Sequence, residues 1–169
     1  EHIKFYTDNY NIININEYKN YDKDTLSITI DDGYKDNLDA IEILNKYNIP
    51  FTLYVTISTL DTQGYLSTED IKSLSCLDNC EIGSHSYNHV RLNTISNEKI
   101  FFELSESKKI IENMIGNKIS GISYPHGSYN QYVLDILKTV GYDYAASSIK
   151  GKNTTKTNKY LLKLSEIIK

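Results

Sequence analysis

Tryptophan is absent from the 169-residue chain, arginine occurs once (Arg91), and there are four histidines: His2, His85, His89 and His126. A mechanism that needs many histidines or an arginine clamp is therefore excluded. The two cysteines, Cys76 and Cys80, have no Cys or His partner nearby and make a poor zinc site, so they are expected as ordinary semi-buried thiols. No apolar run reaches the roughly 18 residues of a membrane span. The segment Glu1-His2-Ile3-Lys4-Phe5 is too polar for a secretory leader. No basic run offsets the net charge of −4, which argues against a nucleic-acid partner. The two prolines, Pro50 and Pro125, separate nothing, and no repeat or linker interrupts the chain. One domain over residues 1–169 is expected.

What is present alternates between two periodicities. Asn11 to Ile15, Thr25 to Ile30, Phe51 to Ile57, Glu81 to Ser84, Ile119 to Tyr124 and Tyr144 to Ser147 read as short β-branched or apolar strands, with Tyr160 to Leu164 as a last one. Between them, Leu38, Ile41 and Leu44 place a helix over Asp36 to Tyr47. Ser67-Thr68-Glu69-Asp70 resembles a capping box that opens a short helix to about Leu77. Ile100, Leu104, Ile111 and Ile115 mark a long helix from Asn97, stopped by Gly116, and Gln131 to Val140 is closed by Gly141. Strand–helix alternation implies an α/β fold with a parallel sheet. The chain is short for a full eight-unit barrel, so an incomplete or distorted (β/α) barrel is expected, with reactive groups at strand C-termini.

Three strand ends collect the unusual polar residues: Asp31-Asp32-Gly33, then His85-Ser86-Tyr87-Asn88-His89, then Tyr124-Pro125-His126-Gly127-Ser128-Tyr129-Asn130. Each alone is an ordinary turn or a surface pair. Together they offer two imidazoles and one carboxylate, a three-ligand set with open positions, as a hydrolytic divalent metal needs. The second carboxylate is left over beside it, where a general base belongs.

Thr29-Ile30-Asp31-Asp32-Gly33 with His85-Ser86-Tyr87-Asn88-His89 resembles the polysaccharide deacetylase family, also called the NodB homology domain or carbohydrate esterase family 4. Its first motif is Thr-Phe-Asp-Asp-Gly and its second His-(Ser/Thr)-x-x-His. Pro125-His126-Gly127-Ser128-Tyr129-Asn130 is similar to its third, Pro-Tyr-Gly-x-x-Asn, so the likeness covers about residues 25 to 147. Tyr10-Asn11-Ile12-Ile13 looks like the branch containing poly-N-acetylglucosamine deacetylases. The resemblance implies a metal-dependent hydrolase that removes N-acetyl groups from an N-acetylglucosamine-containing polysaccharide of a cell wall or exopolysaccharide. It implies Asp31 as general base and Asp32, His85 and His89 as ligands of zinc, with cobalt or nickel as substitutes. Tyr124, Pro125 and Gly127 would line the substrate groove, and the His126 N–H would help hold an oxyanion. Such a substrate implies an extracellular or cell-surface location, with a leader or anchor outside these residues.

The sequence departs from that family at the proton donor. The usual C-terminal Leu-x-His has no counterpart, since no His follows His126, and the Asp-Trp pair is impossible without Trp. Ser123 stands where an Arg normally fixes the base. Either His126 supplies the proton to the departing amine, or Asp31 returns the one it has taken. The alternative function is a catalytically impaired glycan-binding or structural module that retains the metal site. Of the tyrosines, Tyr34, Tyr87, Tyr124 and Tyr129 lie near enough to the motifs to contact a sugar, although most tyrosines are expected to pack the core.

Overall fold

The computed structural model describes residues 2–19 and 25–165. In chain order the elements are α1 (His2–Asn9), β1 (Asn11–Ile12), β2 (Thr25–Leu26), β3 (Ile28–Ile30), α2 (Asn37–Lys46), β4 (Phe51–Val55), α3 (Thr68–Leu74), β5 (Cys80–Ser84), α4 (Asn97–Ile115), β6 (Gly121–Ser123), α5 (Gln131–Val140), β7 (Tyr144–Ser147) and β8 (Leu162–Lys163). Ends are fixed by local chemistry. Ser67 and Asp70 form a full capping box at α3, and Gly116 and Gly141 close α4 and α5 in the left-handed region.

Two expectations need correction. The run Thr25 to Ile30 is two strands rather than one: β2 pairs with β1, and from Ile28 the chain changes partner and pairs with β4. The run from Asn11 leaves the strand after Ile12, and Ile15–Glu17 tightens into a 3₁₀ turn that buries Ile15. α1 has no strong apolar stripe and was not legible in the sequence.

The main sheet has six parallel strands in the order β3-β4-β5-β6-β7-β8 and curls into a half-barrel. Because sequence order equals spatial order, right-handed crossovers stack α2, α3, α4 and α5 on the same convex face. Alternation along each strand then divides the core. Phe51, Leu53, Val55, Ile82 and Ile122 face the helices and meet Ile100, Leu104, Ile111, Val133 and Leu137. Each such aliphatic side chain contributes roughly 1.5–3 kcal/mol on burial.

The concave side holds a smaller cluster of Ile15, Tyr54, Tyr144, Ala146 and Leu162. Two glycines make room for its tyrosines. Tyr54 lies opposite Gly83 on β5, and Tyr144 opposite Gly121 on β6. A Cβ at Gly83 would fall 2.5 Å from the Tyr54 ring, and one at Gly121 2.1 Å from the Tyr144 ring. The Tyr54 hydroxyl meets that of Tyr144 at 3.3 Å, and Tyr144 donates to Glu81 Oε1 at 3.0 Å. This polar-tipped aromatic plug fills the interior, while the C-terminal ends of β3, β5 and β6 carry Asp31, His85 and Ser123. Cys76 and Cys80 are both free thiols, and burial pushes Cys80 up to about 12.

Candidate metal centre

Adjacent residues in a strand point to opposite sides, so two consecutive aspartates reach one site only if the backbone turns. Asp31 continues the inward direction of Thr29, and Asp32 then adopts a left-handed φ of 72°. Asp is among the few side chains that tolerate this region. The turn swings the Asp32 carboxylate back toward β5. His85 follows β5 directly, its N–H donating to Val55 O at 2.7 Å. Left-handed Ser86 and His89 then fold the chain back, and the His89 N–H donates to Ser86 Oγ at 3.0 Å.

Asp32 Oδ1 lies 3.3 Å from His85 Nε2 and 3.1 Å from His89 Nε2, and the two Nε2 atoms are 3.1 Å apart. His85 is buried, and its Nδ1 lies 2.9 Å from the carbonyl of Ser123. That contact places a proton on Nδ1, so Nε2 is the atom that faces Asp32 and would bind a cation. One donor atom from each of Asp32, His85 and His89 falls within 4.8 Å of the others. Two imidazoles and a carboxylate so converged fit a divalent cation of the zinc type.

Without a cation, the charged groups pair among themselves. A hydrogen bond from His85 holds Asp32 below the usual carboxylate range, against its partial burial. Burial works to lower His85, but Asp32 and Asp31 overcome it and raise it. Burial and the neighbouring His85 push His89 down, toward the neutral form that carries a lone pair.

Asp31 stands beside this cluster, its Oδ2 3.9 Å from His85 Nε2. Burial raises its pKa, against the His85 charge and a hydrogen bond from Ser123 Oγ at 2.9 Å. Its other oxygen, Oδ1, is buried and has no hydrogen-bond partner among the described residues. A buried carboxylate oxygen left open next to a cation-competent cluster suits a base waiting for a proton.

The third motif is brought to the same rim, but its residues divide. His126 is exposed with φ 57°, and its ring centre is 4.6 Å from that of His89. Tyr124 and Pro125 are buried, and the Tyr124 hydroxyl donates to Tyr160 O at 2.8 Å. What this segment presents to a ligand is therefore the His126 side chain and backbone rather than the tyrosine ring. Gly127, at φ 61°, packs on Ser148, where a Cβ would come within 1.8 Å of the Ser148 Oγ. The Gly127 and Ser128 N–H groups go to Tyr124 O and Pro125 O, which leaves the His126 N–H uncommitted among the described residues.

Sequence reasoning missed Glu103. It lies on α4, is 4% exposed, and accepts from Tyr87 N at 2.9 Å, Asn88 N at 2.8 Å and Asn88 Nδ2 at 2.8 Å. It thus clamps the loop between the two histidines. Its signal was an acidic residue on the apolar stripe of a helix, between Ile100 and Leu104. Ser128 similarly ties the third motif to the loop after the second, through Asn93 N at 3.1 Å and Asn93 Oδ1 at 2.7 Å.

Comparison with known proteins identifies the family. The Bacillus subtilis protein YxkH is 31% identical over 136 residues, spanning 80% of this chain and 48% of the relative. The peptidoglycan-N-acetylmuramic acid deacetylase PdaA of the same organism is 28% identical over 71% of this chain and 44% of its own length. The chain spans about half the length of these curated relatives. The Streptococcus pyogenes deacetylase PplD, solved with acetate, superposes with a TM-score of 0.85 at 22% identity, covering 93% of this chain and 74% of that one. The family model described as polysaccharide deacetylase matches residues 18–145, and the chain belongs to that family.

Proposed function

We propose that the protein is a metal-dependent deacetylase that removes N-acetyl groups from an N-acetylglucosamine-containing polysaccharide. The observation that carries this reading is the convergence of Asp32, His85 and His89 with the open carboxylate of Asp31 beside them. The deacetylase names of relatives from the same family support the reaction class.

A divalent cation held by Asp32, His85 and His89 would supply Lewis-acid polarisation of the acetamide carbonyl and of water. The chain's own groups do the rest. The Asp31 carboxylate accepts the proton of the attacking water, while Ser123 keeps it in place. The His126 N–H is free to donate to the oxygen on which negative charge develops, an effect worth about 3–4 kcal/mol in comparable sites. Burial makes the protonated form of Asp31 accessible, so the same carboxyl returns its proton to the departing amine. A cell-wall or exopolysaccharide substrate would place the protein at the cell surface.

The test is acetate release from N-acetylglucosamine oligomers and peptidoglycan by zinc- or cobalt-loaded protein, beside Asp31→Asn and His126→Ala. The reading expects acetate from at least one substrate, abolished in Asp31→Asn and retained in His126→Ala. Metal binding without acetate above the Asp31→Asn background would instead identify a glycan-binding module. Undiminished metal content in His89→Ala would refute the ligand assignment.

A further inference from the structure

The tyrosines fall into two populations. Tyr54, Tyr124, Tyr142, Tyr144 and Tyr160 are buried, and their hydroxyls are hydrogen-bonded inside the fold. Tyr34 is 43% exposed although it follows the Asp31-Asp32-Gly33 turn directly. Its ring stacks on that of Tyr65, with centroids 4.9 Å apart and planes inclined at 26°. One face of Tyr34 is therefore covered by Tyr65, and its exposure belongs to the opposite face and the edge.

This pair is rigidly mounted. Tyr34 and Tyr65 form an antiparallel bridge, flanked by Leu66 N donating to Gly33 O and Lys35 N to Gly64 O, each at 2.9 Å. Lys35 is tied to Asp70 at 2.6 Å, and the Asp61 carboxylate takes the N–H and hydroxyl of Thr68 at 2.8 and 2.6 Å. A packing role does not require an open ring face, and a loop tip has no reason for this bracing. A stacking surface for a ligand needs both, because preorganised rings lose little freedom on binding.

We propose that the Tyr34–Tyr65 pair is a subsite that stacks a pyranose ring next to the sugar at the metal centre, so that it contributes only when the substrate is two or more sugars long. The apolar C–H face of a pyranose lies on the free face of Tyr34, and the phenols stay at the wet perimeter. This proposal rests on the deacetylase reading above for the position of the neighbouring sugar.

The test compares N-acetylglucosamine itself and its pentamer with wild-type protein, Tyr34→Ala, Tyr65→Ala, Tyr34→Phe and Tyr47→Ala. Tyr47 is an exposed ring after α2, at the opposite end of the strands. Metal-loaded protein is assayed for acetate, and each substitution is also placed in an Asp31→Asn background to read pentamer binding calorimetrically. Tyr34→Ala and Tyr65→Ala are expected to weaken pentamer binding and kcat/KM by about 3- to 10-fold. Turnover of the single sugar stays within twofold, and Tyr34→Phe and Tyr47→Ala behave as wild type. Equal losses for the single sugar and the pentamer, or unchanged pentamer binding in both alanine variants, overturn the subsite. Pentamer binding that depends on Tyr34 and Tyr65 without any acetate keeps the subsite and rejects the deacetylase reading. Pentamer that neither binds nor reacts rejects both.

Discussion

Ser123 Oγ donates to Asp31 Oδ2 at 2.9 Å, and the carbonyl of the same Ser123 lies 2.9 Å from His85 Nδ1. One residue at the end of β6 thus orients both the base and a candidate ligand. The family pattern has an arginine at this position. A serine fixes the carboxylate without adding a positive charge, so burial is left to raise the Asp31 pKa.

The two functions of Ser123 are separable because one uses the side chain and the other the backbone. Ser123→Ala removes only the bond to Asp31. We expect kcat/KM to fall about 10- to 100-fold, with metal stoichiometry unchanged. Steady-state kinetics beside elemental analysis checks this. Loss of metal would mean that the hydroxyl, and not the carbonyl, organises His85.

Glu103 makes the complementary prediction. Its carboxylate satisfies three donors of the Tyr87–Asn88 segment from a buried position on α4. Glu103→Ala leaves two backbone N–H groups without an acceptor, at about 1–3 kcal/mol each if they stay dry. We expect metal affinity to drop about 10- to 100-fold by calorimetric titration, with a lowered unfolding midpoint. Glu103→Gln retains one carbonyl acceptor and should fall between. Unchanged metal affinity in a destabilised Glu103→Ala would assign the residue to folding alone.

Much of this was legible in the sequence, for identifiable reasons. α4 and α5 were readable to the residue because an apolar stripe ends at a glycine in the left-handed region. Asp31, Asp32, His85 and His89 were readable because the two strand ends together offer a three-ligand set with a carboxylate left over. The split of Thr25 to Ile30 was not, because a change of pairing partner leaves no mark on a β-branched run. The burial of Tyr124 was hidden likewise: its ring packs against residues that the chain reaches only at Tyr160. Glu103 escaped notice because two of its three donors are backbone N–H groups, which no composition reports.

Asp70 links acid stability to the braced loop. Some burial raises its pKa, but hydrogen bonds from Lys35 and Ser67 outweigh it and bring the carboxyl down to about 2. The folded pKa lies below the unfolded value of 3.8, so the carboxylate stabilises the fold above that pH. The contribution is lost as pH falls from there through about 2. Asp70→Asn should cost about 1–2 kcal/mol at neutral pH and flatten the stability profile in that acid window. Urea titrations at pH 7 and pH 2.5 measure both. A difference that persists undiminished at pH 2 would show that the charge is not what Asp70 contributes.

The glycine–tyrosine pairs of the barrel interior give the sharpest packing prediction. Gly121 and Tyr144 are directly opposed on β6 and β7, so the ring folds over the backbone that an added methyl would occupy. The strand register prevents β6 from moving away, and the Tyr144 hydroxyl is committed to Glu81. Gly121→Ala should destabilise by about 1–3 kcal/mol, the usual cost of overpacking. Tyr144→Leu alone should also destabilise, because it vacates ring volume and leaves Glu81 without its donor. The double variant should be more stable than the sum of the single losses implies, with a coupling of about 0.5–3 kcal/mol, since the shorter side chain frees the space the methyl needs. Chemical denaturation of the four proteins measures that coupling. Strict additivity would mean that the ring over Gly121 is not what demands glycine there, and the backbone itself would have to supply the reason.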